Sequence, residues 1–229
     1  MNIQVSVRYC IAFMALFFLC SQLHEMVHII IGRFVCGCWG EQQDFNLWSL
    51  CVGCEQHPYK YIATLAGPVF TYLMIWLGVY WLASSNTRLQ VVGFAFVLAN
   101  HPFARIFTAA MGRGDEIMVL KFHLAQAWGY WYINALGLFF VLIFALLPLY
   151  YAYRQLQHRY KLPILIGFCV IPLVVQWFYE FKFLGWLIQS GVMNEAHFMG
   201  IADFVHLHTL LCIIVLFAAG KHLYQFAEI

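Results

Sequence analysis

The chain has 229 residues, of which 64% are hydrophobic and only 10% are charged. Soluble domains carry about 25% charged residues, so the composition excludes an ordinary soluble domain and indicates an integral membrane protein. The formal net charge of +2 is too small and too dispersed to form the basic surface that nucleic-acid binding requires. Aromatic residues reach 19%, which is typical of aromatic belts at the two membrane interfaces.

Six apolar segments are long enough to cross a bilayer, which takes about 20 helical residues each. They are Val5–Phe34, Tyr61–Leu82, Leu89–Met111, Tyr130–Tyr153, Leu162–Ile188 and Ile201–Phe226. The predicted fold is an all-α integral membrane protein with about six transmembrane helices and a Cys-rich loop between the first and second. We expect a three-span core in residues 1–120, which includes the loop at 35–59, and three further transmembrane helices of the same membrane domain in 121–229. The first segment lacks a small-residue cleavage site and is interpreted as a retained span.

The first span contains the sequence His24-Glu25-Met26-Val27-His28 inside an unbroken apolar run. On a helix the two histidines are about 40° apart around the axis, so both can bind one metal ion, and Glu25 is close enough to activate a water. An ionisable group at bilayer depth costs roughly 2.5–3.5 kcal/mol, which marks it as a functional candidate. The alternative is a set of polar residues satisfied by neighbouring helices. We interpret the motif as part of a zinc site.

Four cysteines follow the first span as the two close pairs Cys36-x-Cys38 and Cys51-x-x-Cys54. Disulfides or free thiols are favoured, and disulfides would fit an oxidising compartment on that side of the membrane. A structural metal site is the competing interpretation, because two close pairs can form a tetrahedral thiolate cage. The single residue between the first two cysteines is tight for such a cage.

The third span ends in a polar segment at residues 112–116 that contains Asp115. A catalytic zinc site usually has three protein ligands, so a third must reach the level of His24. Asp115 leaves the membrane on the same side as His24, whereas Asn100 and His101 should lie roughly 15 Å deeper at about 1.5 Å per residue. Two glycines in the segment free the chain to bend the carboxylate back toward the first span. Asp115 is the predicted third ligand; the alternative is a solvated exit loop.

A second polar cluster precedes and enters the sixth span. Its members are Glu195, His197, Asp203, His206 and His208. His206 and His208 point about 200° apart on a helix and cannot share a metal there, whereas Asp203 and His206 can. Asp203, His206 and also His101 are therefore alternative metal ligands, and the competing interpretation of this cluster is a set of polar residues at the membrane interface.

Three segments resemble the motifs of one known family. His24–Gly32 fits its first motif, Ala66–Thr71 is similar to its Gly-Pro-x-x-Asn segment, and Asn100–Pro102 with Asp115 is similar to its third motif. Over roughly its first 120 residues the chain thus resembles the site-2-protease family of intramembrane zinc metallopeptidases, as a divergent member. Thr71 stands where that family has Asn, and Glu116 stands where it has Gly after the Asp.

The resemblance implies a zinc metalloprotease with one zinc ion held by His24, His28 and Asp115. It implies that Glu25 is the general base and makes Asn100 a candidate for holding the substrate backbone or oxyanion. The substrate would be a membrane-spanning or juxtamembrane segment of another protein, so the expected partners are a membrane protein substrate and the lipid bilayer.

Two other functions stay open at this point. One is a catalytically inactive relative that serves as a subunit or scaffold of a membrane complex. The other is a membrane metalloenzyme acting on lipid, with the residues around His206 near the metal. Lys and Arg counts over the short connections favour the side that carries both termini as cytoplasmic.

Overall fold

The computed structural model describes residues 1–224, and 74% of the structure is helical with almost no sheet. Within these residues, six helices are long and apolar enough to cross a membrane, which confirms the predicted helical fold and fits a multi-pass membrane protein. They are Val7–Cys36, Lys60–Leu82, Thr87–Ala110, Tyr130–Gln155, Lys161–Gln189 and Asp203–Tyr224. The predicted end of the sixth span, Phe226, lies outside the described residues.

The first span is the single helix α1 (Val7–Cys36), which has a cap at each end. The Ser6 side chain accepts a hydrogen bond from the backbone N–H of Tyr9 at 3.2 Å, which satisfies one of the free donors of the first turn. At the other end, Gly37 has a φ of 77° and donates its N–H to the carbonyl of Arg33 at 3.0 Å. This left-handed position favours glycine and ends the helix there.

The second span, α2 (Lys60–Leu82), runs against the helix α3 (Thr87–Ala99) at backbone contact. A Cβ added to Gly93 would lie 2.6 Å from the carbonyl oxygen of Gly78. Small residues at such crossings let two helix backbones approach closely, which is the usual means of helix association in membranes.

The third span is interrupted between α3 and α4 (Pro102–Ala110). His101 has a φ of 59°, and a residue before proline is disfavoured in the α region, so the helix ends and a new one begins at Pro102. A second turn follows α4, where Gly112 and Gly114 both have positive φ. The chain then enters α5 (Asp115–Leu124), which places Asp115 in the first turn of a new helix.

The last three spans contain two stretches of π-helix. The elements are α6 (Tyr130–Val141), the π-helix Leu142–Leu146, α7 (Leu147–Gln155), α8 (Lys161–Gln176), the π-helix Trp177–Leu184, α9 (Gly185–Gln189), α10 (Asp203–Ala219) and the 3₁₀ turn Gly220–Tyr224. Wider turns of this kind occur frequently at functional sites. The fifth span contains Pro172 and continues beyond it, through its π-helix, to Gln189.

The loop after α1 forms a small hairpin in which β1 (Glu41–Gln42) pairs antiparallel with β2 (Trp48–Ser49). The side-chain amides of Gln42 and Gln22 exchange two hydrogen bonds of 2.8 and 3.0 Å, which attach the hairpin to α1. The backbone of Gln42 also bonds to residues just before α10, through Gly200 O at 2.8 Å. The hairpin is therefore attached both to the first span and to the segment before α10.

The four cysteines of this loop are paired as two disulfides, Cys36 with Cys54 and Cys38 with Cys51. The pairing is nested, so each bond joins one cysteine near the end of α1 to one beyond the hairpin. A thiolate cage around a structural metal ion does not describe this arrangement.

Candidate metal centre

Three side chains from two distant parts of the chain converge at one point. Nε2 of His24 lies 3.1 Å from Nε2 of His28, and Oδ2 of Asp115 lies 3.5 and 3.7 Å from these two nitrogens. The ligand atoms all lie within 4.8 Å of one another, and no other group of this kind occurs within residues 1–224. The three residues could hold one metal ion.

The other ring nitrogen of each histidine has a partner that favours Nε2 as the metal ligand. Nδ1 of His28 donates to the carbonyl oxygen of Ala63 at 2.7 Å, so its Nε2 carries the lone pair. Nδ1 of His24 lies 2.9 Å from Oγ1 of Thr71, which is a suitable acceptor. Such partners orient metal-binding imidazoles in known sites. With the proton of His28 on Nδ1, its Nε2 offers a lone pair toward Nε2 of His24 and Oδ2 of Asp115, where a cation would stabilise it.

Gly67 of α2 is the residue that allows this convergence. A Cβ at this position would lie 2.6 Å from Cε1 of both His24 and His28. Only a glycine lets α2 approach α1 closely enough for Ala63 and Thr71 to reach the two rings, so the glycine of the second motif has a steric function here.

The carboxylate of Asp115 is ionised and therefore competent to bind a metal. Burial works to raise its pKa, but the hydrogen bond with His24 and the positive charge of Arg105 hold this pKa well below its usual range. Asp115 lies outside the six spans, at the start of α5.

The metal-binding atoms open onto a cavity of about 620 Å³. Its polar lining comes from residues of the first, second, third and fifth spans, of the hairpin and of the start of α5. Among them are Ser21, His24, Glu25, Asn46, Thr71, Asn100, His101, Arg105, Asp115 and Gln176. A cavity of this size can admit an extended peptide segment.

Glu25 and Asn100 each present a buried oxygen without a hydrogen-bond partner. Oε2 of Glu25 is one, and the residue is 8% exposed. Nδ2 of Asn100 donates to the carbonyl of Phe96 at 2.8 Å, which leaves Oδ1 as the free atom. Because Oδ1 is an acceptor, Asn100 suits a substrate backbone N–H better than an oxyanion.

Asn100 and His101 line the same cavity as His24 and Asp115, although a straight helix would place them about 15 Å away. The third span is not straight: it breaks at His101, and the chain turns again before Asp115. The greater depth of Asn100 and His101 stays a prediction. The ring of His101 packs against that of Phe17 at 3.9 Å between centroids. His101 is therefore close to the cavity, but it is not part of the convergent group.

Arg105 is a residue of this site that the sequence analysis did not identify. Its Nη2 lies 2.8 Å from Nδ1 and 2.5 Å from Nε2 of His24, and its Nη1 lies 3.2 Å from Oδ2 of Asp115. The signal was present in the sequence, because an arginine inside a predicted span is a functional candidate by the same rule that identified His24.

Glu116 extends this polar network toward α2. Its Oε1 accepts a hydrogen bond from the hydroxyl of Tyr72 at 2.6 Å, and its Oε2 lies 3.9 Å from Nη1 of Arg105. The acid after Asp115 therefore faces the guanidinium, in the position where the resembling family has a glycine.

The hairpin covers the site through Trp48. Its ring stacks on that of His28 at 4.3 Å between centroids and 10° between planes. This contact places β2 directly beside the metal-binding group, and Trp48 also lines the cavity.

The polar residues before the sixth span form a separate group. His197 bonds to Asp203 at 2.6 Å and lies 3.3 Å from Glu195, while Nε2 of His206 donates to the carbonyl of Phe198 at 3.1 Å. Asp203 and His206 thus have their own partners, and neither joins the convergent group around His24.

A buried polar pair links the fifth and sixth spans. Oε1 of Glu180 lies 3.7 Å from Nδ1 of His208, and Gln176 donates to Glu180 at 2.8 Å and to Ser21 at 2.8 Å. Glu180 is only 1% exposed, so its carboxyl group is buried between the two spans.

No protein-family model matches this chain, and no curated protein sequence or solved structure is similar enough to give a match.

Proposed function

We propose that the protein is a zinc-dependent intramembrane endopeptidase that hydrolyses peptide bonds in or next to membrane segments of a protein substrate. One observation carries the proposal: the Nε2 atoms of His24 and His28 converge with the Asp115 carboxylate, in the same cavity as an unpartnered oxygen of Glu25. Two imidazoles and one carboxylate, with a neighbouring acid that is free to accept a proton, are the groups that metal-assisted hydrolysis requires.

His24, His28 and Asp115 would hold the ion. Zinc bound there would supply Lewis acidity, which lowers the pKa of a water toward about 7 and polarises a carbonyl group. Glu25 accepts a proton at Oε2 and returns it to the leaving amine. Ala63 and Thr71 keep the two imidazole rings oriented by contacting Nδ1 of His28 and of His24, respectively.

The remaining cavity residues suit an extended peptide. Oδ1 of Asn100 accepts a backbone N–H, while Trp48 shields His28 and limits water at that side of the site. A helical substrate has its backbone groups already paired, so it must unwind locally before its carbonyl reaches Glu25. The partners of the proposed enzyme are thus a membrane protein segment and the surrounding bilayer.

The disulfides also support an orientation for this multi-pass protein. Disulfides persist in oxidising compartments, so the loop with Cys36 and Cys54 belongs on the outer or lumenal side. An even number of spans then puts both termini on the cytoplasmic side, in agreement with the Lys and Arg counts.

A second candidate is a catalytically inactive relative that acts as a subunit or scaffold. The contact of Arg105 with both His24 and Asp115 favours it, because an arginine can neutralise the buried acid without a metal.

The experiment measures zinc in the purified full chain and in three variants, His24→Ala, Asp115→Ala and His206→Ala. We expect about one zinc ion per chain in the wild type and in His206→Ala, and loss of zinc in the other two. Zinc lost only in His206→Ala would favour the metal site near the sixth span instead. Wild-type protein without zinc would overturn the proposal and leave the scaffold.

Activity is then tested with Glu25→Gln, which removes the proton acceptor and keeps the ligands. Single-span membrane proteins are co-expressed with the wild type or the variant, and truncated fragments are identified by mass spectrometry. Fragments that appear with the wild type and with Glu55→Gln, but not with Glu25→Gln, support a peptidase. If the wild type, Glu55→Gln and Glu25→Gln all retain zinc and give identical fragments, the protein is better explained as an inactive scaffold.

A further inference from the structure

Arg105 contacts the same atoms that the proposed function assigns to zinc. Its guanidinium lies 2.5 Å from Nε2 of His24 and 3.2 Å from Oδ2 of Asp115. A metal ion needs the lone pair of that nitrogen and one lone pair of that oxygen. Nε2 of His24 can therefore contact either the guanidinium or a bound metal ion, but not both at once.

The arginine also has a clear electrostatic reason to be there. Three carboxyl groups lie in one region, those of Glu25, Asp115 and Glu116. The guanidinium of Arg105 contacts Asp115 and Glu116. The side chains of Arg105 and Glu116 are each only 14% exposed. Carboxylates shielded from water are costly unless a positive charge accompanies them.

A second position for the guanidinium is already built into the site. Tyr72 holds Oε1 of Glu116 at 2.6 Å and leaves Oε2 free to face Nη1 of Arg105 at 3.9 Å. A small shift of the side chain away from His24 brings the guanidinium into full contact with Glu116. Arginine suits this role because its planar fork can contact two groups at once.

We propose that Arg105 is a tethered cation that competes with zinc for His24 and Asp115, and that zinc binding transfers its guanidinium to Glu116. This inference rests on the proposed function, because it requires a metal site at His24, His28 and Asp115. Arg105 is a positioning residue in this scheme: it sets how tightly the site binds zinc and keeps the acidic cluster neutralised when the metal leaves.

The test is a zinc titration of the full chain in detergent micelles against a chromophoric chelator. We expect Arg105→Gln to bind zinc at least tenfold more tightly than the wild type, because the competing cation is gone. Arg105→Lys retains the charge but makes a single point contact, so we expect an intermediate affinity. Arg113→Gln is the matched control: it removes a positive charge from the turn before Asp115, and we expect its zinc affinity to stay within about twofold of the wild type.

A double-mutant cycle tests the part played by Glu116. Glu116→Gln removes the acid that receives the guanidinium, so zinc binding should weaken severalfold in the wild-type background. If Glu116 acts through Arg105, that loss should largely disappear in the Arg105→Gln background. An undiminished loss there would mean that Glu116 acts by its charge alone, and the transfer to Glu116 would be refuted.

The outcomes separate this inference from the proposed function. Zinc bound by the wild type, but no more tightly by Arg105→Gln or Arg105→Lys, overturns the competition and leaves the peptidase proposal standing. Absence of stoichiometric zinc from the wild type and from every Arg105 variant overturns both. Thermal unfolding shows whether each variant is folded. If Arg105→Gln is not folded, the zinc affinity of Arg105→Lys is compared with that of the wild type instead.

Discussion

The first three spans and the last three differ sharply in how much of them is buried. In the most apolar window of each span, 56%, 44% and 50% of residues are buried in the first half, against 33%, 11% and 22% in the second. The first half packs at backbone contact, as Gly78 and Gly93 show, whereas the second turns much of its apolar surface outward. The ligands of a metal site must be held in fixed positions, and these ligands lie where helices are in direct contact. Helices that face outward need only be apolar.

Both halves contain a buried polar cluster, but the clusters differ in how they are satisfied. Between the fifth and sixth spans, Gln176 and His208 both lie beside Glu180, and the group supplies its own donors and acceptors. Between the first three spans, by contrast, ring nitrogens of His24 and His28 face each other at 3.1 Å, beside the Asp115 carboxylate. The cluster around Glu180 stabilises helix packing, whereas the cluster around His24 and His28 is suited to binding a cation.

The largest effect that should separate the two halves comes from adding one methyl group to a glycine. We expect Gly67→Ala to reduce zinc affinity by about a hundredfold or more and to cost about 1–3 kcal/mol of stability, because its Cβ collides with both imidazoles. Zinc titration and thermal unfolding measure the two changes.

Gly167→Ala is the matched control for this prediction. Its Cβ would meet only Ile171, at an ordinary 3.8 Å, and alanine is favoured over glycine in a helix by up to about 1 kcal/mol. Unchanged zinc binding in both variants would contradict the packing argument for the first half.

The next effect concerns the disulfides of the hairpin loop and is measured in stability alone. Replacing Cys36 and Cys54 by serine should cost about 3 kcal/mol of stability, because the bond closes a loop with a sequence separation of 18. Thermal unfolding under non-reducing conditions measures the loss. Cys169→Ser serves as control, since this cysteine is free, and an equal loss in both would remove the disulfide as the cause.

The buried pair of the second half should contribute to stability without affecting the metal. We expect Glu180→Ala to cost about 1–3 kcal/mol, because Gln176 and His208 lose a buried partner. Glu195→Ala, whose side chain is 77% exposed, should change stability by less than about 0.5 kcal/mol. Loss of zinc in Glu180→Ala would show that the two clusters form one functional unit.

The smallest effect concerns His197 in the loop before the sixth span. Its hydrogen bond to Asp203, with the nearby charges of Asp203 and Glu195, raises the pKa of this histidine above its ordinary value. The stabilisation is therefore fully present below the unfolded-state pKa and disappears as pH rises through the raised pKa of the folded state.

Nuclear magnetic resonance of the His197 ring measures this titration directly. Asp203→Asn should lower the pKa of His197 markedly, and Glu195→Gln should lower it less, since Asp203 supplies the hydrogen bond. An ordinary pKa for His197 in the wild type would contradict this pairing.

Much of the fold followed from local properties of the chain. Apolar runs of sufficient length predicted six spans, and residues 1–224 contain six helices of that kind. The His-Glu-x-x-His spacing placed two imidazoles on one face of α1, and Gly112 and Gly114 marked the turn that precedes Asp115. Each of these inferences uses residues that are neighbours in sequence, where helix geometry alone sets the distance.

The tertiary structure alone decided how the spans meet. Arg105 reaches His24 because the third span breaks at His101, and Gly67 matters because α2 lies against the two rings. Four cysteines allow three pairings, and the nested one depends on where the hairpin sits. Helix periodicity determines which side chains share a face, but the depth, rotation and bend of each helix depend on packing between residues far apart in the chain.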